Sequence, residues 1–332
     1  MSVLVSNNFV NNRTFILFSV AFIVVTLIIE ISPFIEQKIL SSAVTDFEID
    51  TTSSFPRQLN DAIGDHLIIP SRPQRIVSQT LATDEILLAI CPASRIMAVS
   101  ALARDSRYSN VTKQAIEIAG QTSNNVEHIL SFDPDLIFVA SYSRVETVKL
   151  LQSLDVPVFR FANFQSIADI KSNIKTVGYA IGEDQRAANL VAQMERAITL
   201  MRASIPNRKV PPRIMSYTVD NYTAGSHTTF DAMVNIVGAI NLAVEHDITQ
   251  HIKISSEQVL AWQPDFIVTH AYQGNFAEAH RQLLAKPAIA ASNAGKNKRI
   301  IVIENRYFMS VSQYIVYGIK QLFDGLYSFP NK

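Results

Sequence analysis

Hydrophobic and polar positions give this chain four successive textures. Residues 14–29 (TFILFSVAFIVVTLII) carry no charge and are mostly apolar, with Arg13 just before them. Sixteen such positions approach the ~20 that cross a bilayer and slightly exceed the ~7–15 of a signal-peptide core. The stretch SSAVTDFEIDTTSSFP that follows reads as a flexible polar spacer. The pattern predicts an N-terminal transmembrane or signal helix, first as an uncleaved anchor over 14–31 and second as a cleaved signal peptide. Arg13 holds the N-terminus in the cytoplasm, so the remainder faces outward.

From residue 65 short apolar runs alternate with helical periods. A strand opens at Arg75-Ile76-Val77, then come a helix (83–90), a strand (95–100), a polar loop with Arg104 and Tyr108, and a helix from Asn124. A strand (136–140), a short helix carrying Val148, Leu151 and Leu154, and a strand (156–161) complete the series. This alternation predicts a parallel α/β sheet. Over 166–204 Ile167, Ile170, Ile174, Val177, Ile181, Leu190, Met194, Ile198 and Met201 recur at helical spacing, with no proline until Pro206. That is one long helix or two nearly collinear ones, about 55 Å at ~1.5 Å per residue, and reads as a strut. After Pro211-Pro212 a second α/β series runs: strands at 213–219, 266–270 and 299–304, and helices at 230–237, 256–262 and 310–327. The expected organisation is an anchor and spacer (1–64), an N-terminal α/β lobe (65–165), a connecting helix (166–206) and a C-terminal α/β lobe (207–332).

An internal repeat supports two lobes. NNVEHILSFDPDLIFVASY (124–142) recurs as ISSEQVLAWQPDFIVTHAY (254–272), matching Glu127 to Glu257, Pro134-Asp135 to Pro264-Asp265, and Tyr142 to Tyr272. One repeat of this size cannot bury its own apolar face, so each copy belongs to its own lobe. Two lobes on a stiff connection make a cleft, where small ligands sit. The Pro-Asp pairs read as structural, proline ending the helix and aspartate setting the turn.

Composition narrows the function. Lys plus Arg equals Asp plus Glu at 29 each, so no basic excess is present to neutralise phosphates, and nucleic acid is not an expected partner. The single cysteine, Cys91 in ILLAICPAS, excludes an internal disulfide and a cysteine-rich metal site, and reads as a small buried hydrophobe. The seven histidines lack HxH or HExxH spacing, and no phosphate loop, GxGxxG or nucleophile elbow occurs. No enzyme activity, no cofactor and no bound metal ion is expected. A cofactor enzyme on a two-lobed scaffold would need those motifs. A receptor for bare zinc or manganese would need three or four His, Asp or Glu ligands from both lobes.

Ligands of open α/β sheets bind beyond the carboxyl ends of the strands. Tyr108, Tyr142, Tyr222, Tyr272 and Tyr307 fall in post-strand loops, as do Arg104, Arg144 and Arg306, and His270 ends a strand. Solvated loop side chains are the plain reading of each. Converging on one cleft, the tyrosines would supply stacking surface and the arginines an attraction for an anionic ligand. Glu127 and Glu257 open the helices of the two repeats. Asn124-x-x-Glu127 has the form of a capping box, which gives Glu127 a purely structural alternative.

With those residues in hand, the chain resembles the substrate-binding proteins of ATP-driven importers for ferric siderophores, haem and cobalamin over about residues 72–327. The motifs are RPQRIVSQTLATDEILLAI, NNVEHILSFDPDLI, LDVPVF, TAGSHTTFDAMVNIVGAINLA and ISSEQVLAWQPDFIV. Leu81 stands where a proline is usual, Cys91 where a glycine is expected, and Ala239 for the second glycine of a Gly-Gly-x-Asn stretch. The resemblance implies two Rossmann-like lobes joined by a single long helix, on the periplasmic side of the bacterial cytoplasmic membrane. It implies capture of a metal chelate, ferric siderophore or haem first and cobalamin next, for delivery to the permease dimer of an ABC importer with its ATPase. It also implies that Glu127 and Glu257 dock on arginines of that permease.

Overall fold

The computed structural model describes residues 54–61, 64, 66–153 and 156–328. The expected anchor over 14–31 and most of the spacer lie outside the described residues. Among the described residues no helix is long and apolar enough to cross a membrane.

Ordered structure begins earlier than the hydrophobic pattern indicates. Strand β1 (Arg57–Asn60) pairs antiparallel with β2 (His66–Ile69). Its polar sequence RQLN hides it, because the anchoring residue is a buried arginine. Arg57 is 2.8 Å from Asp184, donates to the Tyr179 carbonyl, and lies over the rings of Phe55 and Tyr179.

The first sheet is parallel, in the order β5-β4-β3-β6-β7. Its strands are β3 (Ile76–Ser78), β4 (Ile96–Val99), β5 (Gly120–Gln121), β6 (Leu136–Ala140) and β7 (Val158–Phe161). Its helices are α1 (Leu81–Ile90), α2 (Thr112–Glu117), α3 (Val126–Leu130) and α4 (Val145–Gln152). β6 is buried along its whole length, which is why LIFVA reads as a continuous apolar run. Leu136 and Phe138 face one apolar cluster with Ile170 and Ile174, while Ile137 and Val139 face another with Ile129 and Leu151.

The strut departs from its expected form. It is two helices, α5 (Ile167–Ile181) and α6 (Asp184–Ala203), that fold back on one another. Lys171 Nζ sits 2.7 Å from Glu195 Oε1, whereas collinear helices would hold these residues about 36 Å apart at ~1.5 Å per residue. The chain turns at Gly182, whose φ of 72° is left-handed and open to glycine at little cost. A second glycine lets the helices touch: a Cβ on Gly178 would lie 2.3 Å from the Ala187 Cβ. Gly178→Val should therefore destabilise the fold by about 1–3 kcal/mol, the usual cost of overpacking, as read from chemical denaturation. An unchanged midpoint would show that the two helices can part without penalty.

Glu183 locks the bend. It is 2% exposed and its Oε1 accepts from Arg95 at 2.8 Å and Arg72 at 2.7 Å, with Arg186 3.3 Å from Oε2. Arg95 also donates to the carbonyls of Pro73 and Ile181. Cys91 lies nearby, 3% exposed, and burial pushes its thiol up to about 12, so it behaves as the inert hydrophobe expected.

The second sheet is built from β8 (Arg213–Ser216), β10 (Ile240–Asn241), β12 (Phe266–Ala271) and β13 (Ile300–Glu304), parallel in the order β10-β8-β12-β13. A separate ribbon pairs β9 (Tyr222–Ala224) with β11 (His251–Lys253). The helices are α7 (Thr229–Ile236), α8 (Leu242–Glu245), α9 (Ser256–Trp262), α10 (Phe276–Leu284), α11 (Pro287–Ala291), α12 (Asn293–Lys296), α13 (Asn305–Phe308) and α14 (Ile315–Tyr327). The repeat recurs in hydrogen bonds. The Asp135 carboxylate accepts from the backbone N–H groups of Gln74 and Arg75 at the mouth of β3, and Asp265 accepts from that of Arg213 at the mouth of β8. Each Pro-Asp turn thus fastens its strand to the neighbouring one, a larger role than setting a turn.

Candidate functional site

Strand order fixes where each sheet opens. In the first, the chain builds outward from β3 to β4 and β5, then returns to the other side of β3 with β6. In the second it builds from β8 to β10, then returns with β12. These reversals leave crevices beyond the carboxyl ends of β3 and β6, and of β8 and β12. Gln79, Thr80 and Tyr142 flank the first crevice; Thr218, Asp220, Tyr272 and Gln273 flank the second.

The two carboxyl edges face each other, because loops from one meet loops from the other. Gln273 Nε2 donates to Ser106 Oγ at 2.9 Å. Asn305 Nδ2 donates to the Arg107 carbonyl at 3.1 Å, and Asn110 Nδ2 to the Arg306 carbonyl at 3.0 Å. Tyr108 and Tyr272 meet edge to face with centroids 5.6 Å apart. Burial, then the hydrogen bond and charge of Tyr108, push the Tyr272 phenol up, so it stays protonated at neutral pH.

His270 joins this cluster. Its ring stacks on Phe308 at 5.3 Å and meets Tyr272 edge-on at 5.7 Å. Nδ1 is buried with no hydrogen-bond partner, and burial lowers the pKa of the imidazole, which is therefore neutral. Tyr307 stacks on Tyr317 at 5.2 Å with the Arg306 guanidinium over its own ring. Tyr142, 63% exposed, lies against Phe164 at 5.6 Å on the rim. Arg144 is exposed at the N-terminus of α4. Tyr222 carries Lys253 over its ring on the β9–β11 ribbon. No described contact joins Arg144 or Tyr222 to the Tyr108–Tyr272 pair.

Arg104 has a structural use that the sequence did not indicate. Its guanidinium donates to the carbonyls of Ile118 and Gly120, binding the end of α2 and the edge strand β5 to the turn after β4. Arg107 is likewise held, paired with Asp105 at 2.6 Å and packed over Tyr108. The cleft is less cationic than the sequence suggests. Asp220, at the tip of the loop after β8, reduces it further, since its charge acts on both His270 and Tyr272.

Glu127 and Glu257 occupy the same place in their helices, the second residue of α3 and of α9, and both are exposed. Neither caps. Asn125, not Asn124, caps α3 by accepting from His128 N, and α9 is capped by a box between Ser255 and Gln258. The Glu257 carboxyl is held below the usual range by the backbone N–H of its own helix start, then by Ser255.

Sequence reasoning missed Asp84 and Glu85. Both are buried on α1, and desolvation pushes each carboxyl up to about 7. The available signal was an acidic pair directly ahead of the apolar run ILLAI. A pocket of about 530 Å³ lies elsewhere, between α5, α6 and α7, lined by Lys171, Glu195, Arg202 and Asn235. Its chemistry is that of a surface ion pair over apolar side chains, and the facing carboxyl edges are the better candidate site. Among the described residues no group of three or more His, Cys, Asp or Glu could hold a metal ion.

A family model described as periplasmic binding protein matches residues 76–307. A cobalamin-binding protein of Halobacterium salinarum is 26% identical over 225 residues, covering 67% of this chain and 60% of that protein. The chain thus spans less than two thirds of that relative's length. The uncharacterized ABC transporter substrate-binding lipoprotein YvrC of Bacillus subtilis is 25% identical over 287 residues, 83% of this chain and 87% of YvrC. The periplasmic heme-binding protein RhuT from Roseiflexus sp. RS-1 superposes with a TM-score of 0.67 at 24% identity, over 77% of this chain and 98% of RhuT. At that identity the likeness speaks for the fold alone.

Proposed function

The chain belongs to the periplasmic binding protein family, and from that premise we propose that it captures a metal chelate outside the cytoplasmic membrane and hands it to an ABC importer. The observation that carries the reading is the Tyr108–Tyr272 meeting, where the carboxyl edges of two parallel sheets face each other across an aromatic seam. In this reading residues 65–165 and 207–332 are two lobes, the α5–α6 pair connects them, and 14–31 anchor the chain. The chain binds and releases its cargo and catalyses no step. Its partners are the permease dimer with its ATPase.

Ferric siderophore or haem is the first cargo in this reading, held by Tyr108, Tyr142, Tyr272 and Tyr307 with His270 and Arg306. One observation favours cobalamin as a second. With Arg104 spent on carbonyls and Asp220 at the crevice, the cleft suits a bulky ring that needs stacking more than counter-charge. The cobalamin-binding relative points the same way. Titration of the ligand-free chain with ferric enterobactin, haemin, cyanocobalamin and zinc tests the reading. Zinc is expected not to bind and one chelate to bind well, with Tyr272→Ala weakening it about tenfold, near 1.4 kcal/mol. Tight zinc binding, or no chelate bound at all, would overturn it.

A further inference from the structure

We propose that Glu85 is a positioning residue whose carboxyl, by gaining or losing a proton, sets how firmly the two sheet layers are held together across the cleft. The inference stands apart from which solute is carried.

Glu85 lies on α1 of the first layer and is 2% exposed. Oε1 accepts from the backbone N–H of Asn110 at 3.0 Å and from its Nδ2 at 2.9 Å. Oε2 takes the hydroxyl of Ser312, and the Glu85 carbonyl takes Gln313 Nε2 at 2.8 Å. Ser312 and Gln313 belong to the second layer, between α13 and α14, 227 and 228 positions along the chain. One carboxyl therefore gathers donors from both layers. Asn110 in turn reaches the Arg306 carbonyl, so the same network touches the aromatic seam.

Both proton states can be wired here. With Glu85 ionised, Ser312 donates to it. With Glu85 protonated, Oε2–H donates to Ser312 Oγ, and the serine hydroxyl turns to Ser310 Oγ, 3.1 Å away. The states differ in cost. The ionised form holds a full charge in a dry interface, a charge that water would solvate if the layers parted.

The surrounding charges leave that cost largely in place. Burial is the chief influence on Glu85 and outweighs the donors and the Arg306 charge, which act the other way. Asp84 is beside it on α1, Tyr314 faces it from the start of α14, and Arg104 in the adjoining turn is committed to carbonyls. The sign follows from linkage. A carboxyl raised from 4.5 to about 7 in the joined arrangement favours that arrangement fully below about 4.5, less as pH rises, and not at all above about 7. Asp84 bonds Ser100 and Ser78, both in the first layer, so it makes no bond across the joint and acts there only through its charge beside Glu85.

Hydrogen exchange of the full, ligand-free chain at pH 5 and pH 8, corrected for intrinsic exchange rates, tests this. Segments 106–111 and 310–314 are expected to open several-fold more often at pH 8 in the wild type and equally at both in Glu85→Gln. Asp84→Asn should keep the wild-type response. Ser312→Ala, which removes a bond favouring the ionised form, should move the transition to higher pH, and it serves as well should Glu85→Gln not fold. Exchange indifferent to pH in the wild type, a response surviving in Glu85→Gln, or an unmoved transition in Ser312→Ala would overturn the proposal. No cargo enters the measurement, so its outcome is separate from that of the chelate titrations.

Discussion

Glu183→Gln is expected to cost the fold about 3–5 kcal/mol, the range for breaking a buried ion pair by removing one partner. Glutamine keeps the size and one acceptor oxygen, but it leaves three guanidinium groups facing a neutral amide. Arg72 and Arg186, with side chains 23% and 25% exposed, can recover some water. Arg95, at 7%, cannot, and burial already lowers its pKa. The loss is sited where the α5–α6 bend, the lead into β3 and the turn before β4 are tied together, so it should be felt by the whole first layer. At roughly 2–4 °C per kcal/mol the melting temperature should drop by about 10 °C. A circular-dichroism melt within 2 °C of the wild type would show that the arginines rehydrate freely and that the bend holds without its anion.

The largest expected effect on transport comes from Glu127→Gln combined with Glu257→Gln. Under the docking proposal, importer-driven uptake falls severalfold while chelate affinity stays as it was and the melting temperature falls only slightly, by the loss of the Glu257 charge at its helix start. The structure clears the way for this separation, since Asn125, Ser255 and Gln258 do the capping and neither glutamate is needed for it. Both carboxylates stand exposed at the second position of equivalent helices, one in each repeat. Exposed charges steer encounter and orientation more than they add affinity, so raised salt should mimic the double variant. Uptake at the wild-type rate at low expression would sink the docking role.

The sheets were the most legible part of the molecule. LIFVA and the FIV of FIVTHA are buried on both faces, so they read as continuous apolar runs, and the Pro-Asp turns repeat ahead of them. The bend in the strut was invisible for a physical reason. Both α5 and α6 turn their apolar residues toward one shared core, so the helical period continues across Gly182 as though nothing had happened. A glycine within such a run reads as tolerated, and only its left-handed φ reveals a turn.

At the site, position after a strand picked out Tyr108, Tyr272 and His270 among nine candidates, but did not show that these three would meet. It was not enough for Arg104, whose acceptors, Ile118 and Gly120, come 14 and 16 residues later. Glu85 was harder still. An acid in the first turns of a helix is ordinary, and nothing local announces that Ser312 will cover it. Asp220 gave no signal beyond lying in a loop.

That each sheet is made from one unbroken stretch of chain, 76–161 and 213–304, bears on how the protein assembles. Pairings within a short stretch close smaller loops, and those are formed sooner than distant ones. The first layer can reach its strand order before residue 213 is available, and the second needs nothing from the first to do the same. Contacts such as Glu85 with Ser312 span 227 positions and close the longest loops, so they are expected to form after the pairings within each sheet. A chain arriving N-terminus first would thus ripen in two instalments, with the cleft the final thing to exist.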